Sequence, residues 1–411
     1  MKNTIKTKYT FLYAALIVIS IFSSLQVSAQ IGLKSKIWTG TWATAPQRVE
    51  PNNMPPDPGL TNNTLRQIVR VSIGGNVIRV RLSNLFGEKP SELKMVAVAL
   101  SKGGSLIDES KQKLLTFQGK HEITLQPGQE ILSDALKFRL DAGMHLAITI
   151  AFGNVSPSLT GHPGSRTTSY ILTGNKVLSA HTEEAVTTDH WYIINGIEVL
   201  TQTSSSSIAI LGNSITDGRG SGTNMQNRWT DVLSERLLKN KKTRHIGVLN
   251  LGIGGNCVLQ GGLGPCAVNR FDRDILGQSN VKWIIILEGI NDIGAIQTAE
   301  RATETAQKLI GAYTNMIDKA HKKGLKVFGA TILPFARSFY DKDFRQHARD
   351  IVNEWIRHSN HFDGVIDFDK IMRNPENPDT ILPDMHDNDF LHPNQAGYRK
   401  MGNAIDLHLF D

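Results

Sequence analysis

The chain has 411 residues, with 45 Lys and Arg against 38 Asp and Glu, and a formal net charge of +7. Its basic residues are dispersed, without the dense cationic tract of a nucleic-acid-binding surface, so no nucleic-acid partner is expected. The length exceeds what one core usually serves, which makes two domains the expectation.

Lys2, Lys6 and Lys8 precede an apolar run from Phe11 to about Phe22, which ends in Val27-Ser28-Ala29-Gln30. A cationic start, a short apolar stretch and small residues at 27 and 29 make the pattern of a secretory signal peptide, cut after Ala29. Removing residues 1–29 takes away three lysines and no acids and lowers the charge to +4. The run is short for a bilayer span, no Cys follows the cut, and no later stretch of about 18 apolar residues occurs. The expected product is secreted or periplasmic, without a stable membrane anchor. Its oligomeric state is not legible.

Residues 30–204 read as a β-rich accessory domain. Gln67 to Ile73 and Val77 to Leu82 alternate around Gly74-Gly75-Asn76, which predicts a hairpin. Further strands are expected at Met95 to Leu100, His121 to Leu125, Leu136 to Leu140, His145 to Phe152 and Trp191 to Leu200. Short strands punctuated by Gly and Pro suggest an antiparallel sandwich-like domain. Tryptophans in such strands, Trp38, Trp42 and Trp191, read as core before they read as sugar platforms.

Residues 205–411 change pattern. Apolar runs at Ile208 to Leu211, Val248 to Leu251, Trp283 to Leu287, Val327 to Ile332 and Val365 to Phe368 alternate with helical stretches, which implies an α/β fold with a parallel sheet. The helical stripes, such as Trp229, Val232, Leu233 and Leu237, are expected to face the core.

Reactive groups of open α/β sheets sit at the carboxyl ends of strands. After the first strand comes Gly212-Asn213-Ser214-Ile215-Thr216-Asp217, where Ser214 is either a nucleophile at the sheet rim or a helix cap. This is not a G-x-S-x-G elbow, because Thr216 replaces the second Gly. After the second strand, Gly252-Ile253-Gly254-Gly255-Asn256 suits an oxyanion-binding turn, and Cys257 breaks the dinucleotide pattern. After the third, Glu288-Gly289-Ile290-Asn291-Asp292 delivers an amide that could donate to an oxyanion, with Asp292 expected as the N-cap of the next helix. Near the end, Asp389-Phe390-Leu391-His392 places an acid three residues before a histidine, which it could orient as a general base. Asp384, His386 and Asp387 make a metal cluster the competing explanation there.

Together, Gly212-Asn213-Ser214-Ile215, Gly255, Gly289-Ile290-Asn291-Asp292 and Asp389-x-x-His392 resemble the ordered blocks of the SGNH (GDSL-like) hydrolases, over about half the chain. The resemblance implies a three-layer α/β/α domain, with Ser214 as nucleophile, His392 as base and Asp389 as its orienting acid. It also implies an oxyanion hole made by the N–H groups of Ser214 and Gly255 and the side chain of Asn291, with no metal or organic cofactor. Asn213 departs from the usual Gly-Asp-Ser-Leu, and a change of local field is expected from it. The amino-terminal segment, with Trp38 to Ala43 and His162 to Thr167, is similar to β-rich domains that precede SGNH domains in secreted bacterial enzymes, some of xylan-degradation type. The expected activity is hydrolysis of short acyl esters, above all acetyl, on small-molecule or polysaccharide substrates. A broad-specificity lipase or arylesterase, or an inactive carbohydrate-binding protein, is the alternative. Cys257 and Cys266, close in sequence, would pair as a disulfide in an exported protein, or else remain two buried thiols.

Overall fold

The computed structural model describes residues 36–180 and 184–411. The expected signal peptide, residues 1–29, lies outside them.

The principal amino-terminal strands are β1 (Lys36–Ala43), β2 (Thr64–Arg70), β3 (Gly75–Ser83), β4 (Ser91–Gly103), β5 (Leu136–Leu140), β6 (His145–Phe152), β7 (Thr160–His162), β8 (Ser169–Leu172) and β9 (Ile194–Gln202). One sheet has the order β1–β9–β3–β5, and a second contains β8–β2–β6–β4, all antiparallel. Alternate residues of each strand point inward, as the two-residue period requires. Ile78, Val80 and Leu82 from the first sheet thus share one core with Val96, Val98, Ile148 and Ile150 from the second.

The expected hairpin is not formed. Strand β2 pairs with β6 and β8, while β3 pairs with β5 and β9. Ser72 Oγ donates to the Thr41 carbonyl at 2.6 Å, and Thr41 Oγ1 accepts from the Ile73 N–H at 2.9 Å. Those bonds carry the chain from one sheet to the other before the turn residues act. The run Trp191 to Leu200 is also broken, because Ile193 takes a positive φ of 68°. Trp191–Tyr192 consequently pairs with β7, and β9 begins only at Ile194.

The second half contains β10 (Ser206–Gly212), β11 (Ile246–Gly252), β12 (Val281–Leu287), β13 (Lys326–Ala330) and β14 (Gly364–Ile366). They form a parallel sheet in the order β11–β10–β12–β13–β14. Its principal helices are α1 (Ser214–Asp217), α2 (Trp229–Lys239), α3 (Ile290–Gly294), α4 (Glu300–His321), α5 (Asp343–His358) and α6 (Gln395–Ala404). Ile208, Ile210 and Ile285 pack with α2 and α6, whereas Ala209, Leu211 and Ile284 pack with α4 and α5. The β-strands are therefore buried on both faces, which explains their uninterrupted apolar runs.

The two halves touch closely along β1 and β11. A Cβ on Gly247 would lie 2.4 Å from the Gly40 carbonyl oxygen, so only glycine fits there, and one on Gly40 would lie 2.8 Å from the tip of Leu249, which would have to move. Ser207 Oγ donates to the Gly40 carbonyl at 2.9 Å, and Ser72 Oγ accepts from the Val248 N–H at 2.9 Å. Ala43 and Ala45 extend into the core on the α4 and α5 face. Among the described residues, no helix is long and apolar enough to cross a membrane.

Candidate active site

Strand β10 runs straight into its turn. Asn213, with extended backbone, caps α1 by accepting from the Ile215 N–H at 3.0 Å, so the capping role belongs to Asn213 and not to Ser214. Ser214 becomes the first residue of a one-turn helix. Its Oγ lies 2.8 Å from His392 Nε2. His392 Nδ1 lies 2.6 Å from Asp389 Oδ2, so that nitrogen carries the hydrogen and Nε2 is left to accept from the hydroxyl.

The Asp389 carboxyl is held by its own loop. Its Oδ1 accepts the N–H groups of Leu391 at 3.0 Å and His392 at 2.9 Å. Burial alone would raise this carboxyl, but the bonds from the His392 ring and the two backbone groups outweigh it and keep it far below the usual carboxylate range. The loop is fixed further by Asn394, which caps α6 and donates to the carbonyls of Asp384 and His386. Among the described residues, no group of three or more His, Cys, Asp or Glu side chains is arranged to hold a metal ion.

The loop after β11 lies opposite the hydroxyl. Among the described residues, the N–H groups of Ser214, Gly254 and Gly255 donate no hydrogen bond within the chain. Asn291 donates one amide hydrogen to the Asn256 carbonyl at 2.7 Å, which leaves its second amide hydrogen available. The Tyr340 hydroxyl donates to Asn291 Oδ1 at 2.9 Å and fixes which way that amide faces. Ser214, Gly254, Gly255, Asn291 and His392 border one cleft of about 440 Å³. Asp389 stands behind His392.

Two expectations are corrected. Asp292 does not cap the following helix: it lies inside α3 and accepts the N–H groups of Val258 at 2.8 Å and Leu259 at 3.0 Å. Burial raises its carboxyl against those two bonds, which tie the segment just beyond the Gly254–Asn256 loop to α3. Cys257 and Cys266 are free buried thiols and not a disulfide. The Cys257 side chain turns toward Gly262, whose Cβ position is 3.0 Å from its sulfur, and burial pushes its thiol up to about 12.

Several residues at the site were given no role by the sequence. Glu288, at the end of β12, receives the Asn213 amide at 3.2 Å and faces Arg270 at 3.5 Å. Burial pushes the Glu288 carboxyl up to about 8, against the pull of Arg270. His162, delivered by β7, bonds through Nε2 to Asp217 Oδ1 at 2.8 Å and through Nδ1 to the Ala45 carbonyl at 3.0 Å. Tyr340 and Phe339 arrive on the loop after β13, a strand end to which the sequence assigned no chemistry. Trp42, Trp191 and Trp229 are buried, as expected of core residues, whereas Trp38 is only half-buried, with the Arg79 guanidinium 4.4 Å from its ring centre.

The carboxy-terminal half is thus an α/β domain with a parallel sheet and a serine at the rim of its cleft. Residues 210–400 match the GDSL-like lipase/acylhydrolase family, so the carboxy-terminal half of the chain is a domain of that family. Membership implies an ester hydrolase. No curated protein matches the chain. A GDSL-like lipase from Bacteroides thetaiotaomicron is 22% identical with a TM-score of 0.37, over 50% of this chain and 88% of that one. A catalytic mutant of an acetylxylan esterase from Geobacillus stearothermophilus is 18% identical with a TM-score of 0.39, over 50% of this chain and 94% of that one.

Proposed function

We propose that the chain is an exported serine esterase that removes short acyl groups, above all acetyl, from carbohydrate esters. The observation that carries this reading is the 2.8 Å approach of Ser214 Oγ to His392 Nε2, beside unpaired N–H donors. In this mechanism Nε2 takes the hydroxyl proton as Oγ bonds to the ester carbonyl carbon. The carbonyl oxygen becomes an oxyanion bonded by the Ser214 and Gly255 N–H groups and the free hydrogen of Asn291. The imidazolium then returns the proton to the alcohol oxygen, the C–O bond breaks, and an acyl-Ser214 ester remains. A water deprotonated by His392 attacks that ester and restores the hydroxyl.

The same reading takes residues 1–29 as a leader, 30–204 as an accessory domain and 205–411 as a three-layer α/β/α catalytic domain. The accessory domain supplies one wall of the cleft, through Gln47, Glu50, Pro163 and Arg166. Exposed Leu263 and Phe339 at the cleft favour a broader arylesterase as the second reading. Ser214→Ala is expected to lower kcat on p-nitrophenyl acetate by about 10³-fold or more while remaining folded. Activity of that variant near wild type would remove the nucleophile. A steady rise in kcat/KM from acetate to octanoate esters would replace the short-acyl reading by the lipolytic one.

A further inference from the structure

The cleft beside Ser214 contains an arginine side chain that makes no ion pair among the described residues. Arg166 reaches it from the loop after β7, with its backbone at a φ of 49°, in the left-handed region that side chains other than glycine rarely adopt. Its Nε is buried without a hydrogen-bond partner, and its guanidinium enters no ion pair among the described residues. Its two terminal nitrogens are neither buried nor bonded among the described residues, so they remain open to a ligand in the cleft. Arg228, close by, shows the ordinary outcome: its guanidinium meets Asp231, the Asp217 carbonyl and the Ser165 carbonyl.

None of the carboxylates that share the cleft pairs with Arg166, although Asp217 keeps one oxygen, Oδ2, without a hydrogen bond. Glu50 accepts from Gln47 at 2.7 Å and Asn53 at 3.0 Å, and Asp217 Oδ1 is bonded to His162. Arg219 also borders the cleft, is exposed, and has no side-chain acceptor among the described residues. The cleft has apolar surface too. Phe339 is 66% exposed and rests on Tyr340 with ring centroids 4.4 Å apart, and Leu263 is 49% exposed. A flat apolar ring suits the C–H face of a sugar, and a guanidinium fork suits a carboxylate.

We propose that the alcohol part of the substrate is an acidic sugar, a hexuronate, whose carboxylate is held by Arg166 with Arg219 at the mouth while its ring lies against Phe339. This rests on the esterase reading and names its substrate class. Arg166 is then a specificity residue, acting on the sugar and not on the reacting carbonyl.

The test compares acetate release from methyl glucuronoside and methyl glucoside, each acetylated at the same hydroxyl. Wild type is expected to prefer the acid by about ten-fold or more in kcat/KM, chiefly through KM, and to lose much of that preference at high salt. Arg166→Gln should bring the ratio of the two substrates close to one, and Arg166→Lys should keep part of it. Equal kcat/KM on both sugars in wild type, or an equal loss on both in Arg166→Gln, would overturn the proposal, as would preference for a sulfated sugar over the uronate. Hydrolysis of p-nitrophenyl acetate without preference for the acid defeats the substrate class alone. Loss of all three activities in wild type defeats the esterase reading and the proposal with it.

Discussion

Asn213 directs its side-chain amide at Glu288, with Nδ2 3.2 Å from Oε2, in the turn that presents Ser214. The GDSL-like pattern has an acid at this position, and here an acid would set two buried carboxyls against each other. Like charges at this distance cannot both ionise readily. Asn213→Asp is expected to cost about 1 to 3 kcal/mol at pH 8, and less at pH 5, where the pair shares a proton. Urea denaturation at the two pH values measures it, and equal stability at pH 8 would mean that Glu288 does not govern the identity of residue 213.

Glu288 gives the fold a pH dependence of its own. Its carboxyl is raised from 4.5 to about 8 by burial, opposed by Arg270. Below about pH 4.5 the group is protonated whether the chain is folded or not, so it contributes no slope. Between 4.5 and about 8 the unfolded chain holds fewer protons here than the folded one, and stability falls as pH rises, by at most about 1.4 kcal/mol per pH unit. Above that window the slope ends. Wild type should therefore lose Tm relative to Glu288→Gln across this range, and a constant difference would show that Glu288 stays ionised.

His162 and Asp217 join the β-rich half to the helix that begins with Ser214. Both are buried, and Asp217 Oδ2 already lacks a hydrogen-bond partner. His162→Ala leaves Oδ1 without its bond to the ring as well, at an expected cost of about 2 to 4 kcal/mol. Because α1 is a single turn, kcat should fall together with Tm. Calorimetry beside steady-state kinetics checks this, and an unchanged Tm would reduce the contact to an incidental one.

Tyr340 orients Asn291 without touching the reacting carbonyl in the proposed mechanism. Tyr340→Phe should lower kcat by about ten-fold, and Asn291→Ala by about 10² to 10³-fold, if the amide is an oxyanion donor. The double variant should be no worse than Asn291→Ala, since the hydroxyl acts through the amide. Additive losses would give Tyr340 a separate role.

The sequence was most legible where burial alone decides structure. His145–Phe152 and Leu136–Leu140 are strands with the expected ends, and the five apolar runs after Ser207 became the parallel sheet. Ser214, Gly255, Asn291 and His392 were legible because strand-end loops have a fixed place in such a sheet, and all four border the cleft. Side chains captured from afar were not. The Gly-Gly-Asn signal could not reveal that Thr41 holds Ser72 and Ile73, nor could Asp292 reveal that its acceptors are filled by Val258 and Leu259. Tyr340 stands ten residues beyond β13 in a loop without a motif, so only its partner Asn291 discloses its use.

The seam between β1 and β11 also governs how the protein could be dissected. Strand β11 is the edge of the parallel sheet, and the amino-terminal half covers it, with Ser72 taking the Val248 N–H. Severed near Ser205, the carboxy-terminal fragment would present bare main-chain donors and apolar side chains to its neighbours, an invitation to intermolecular strand pairing. The β-rich half thus covers an open sheet edge as well as forming a wall of the cleft.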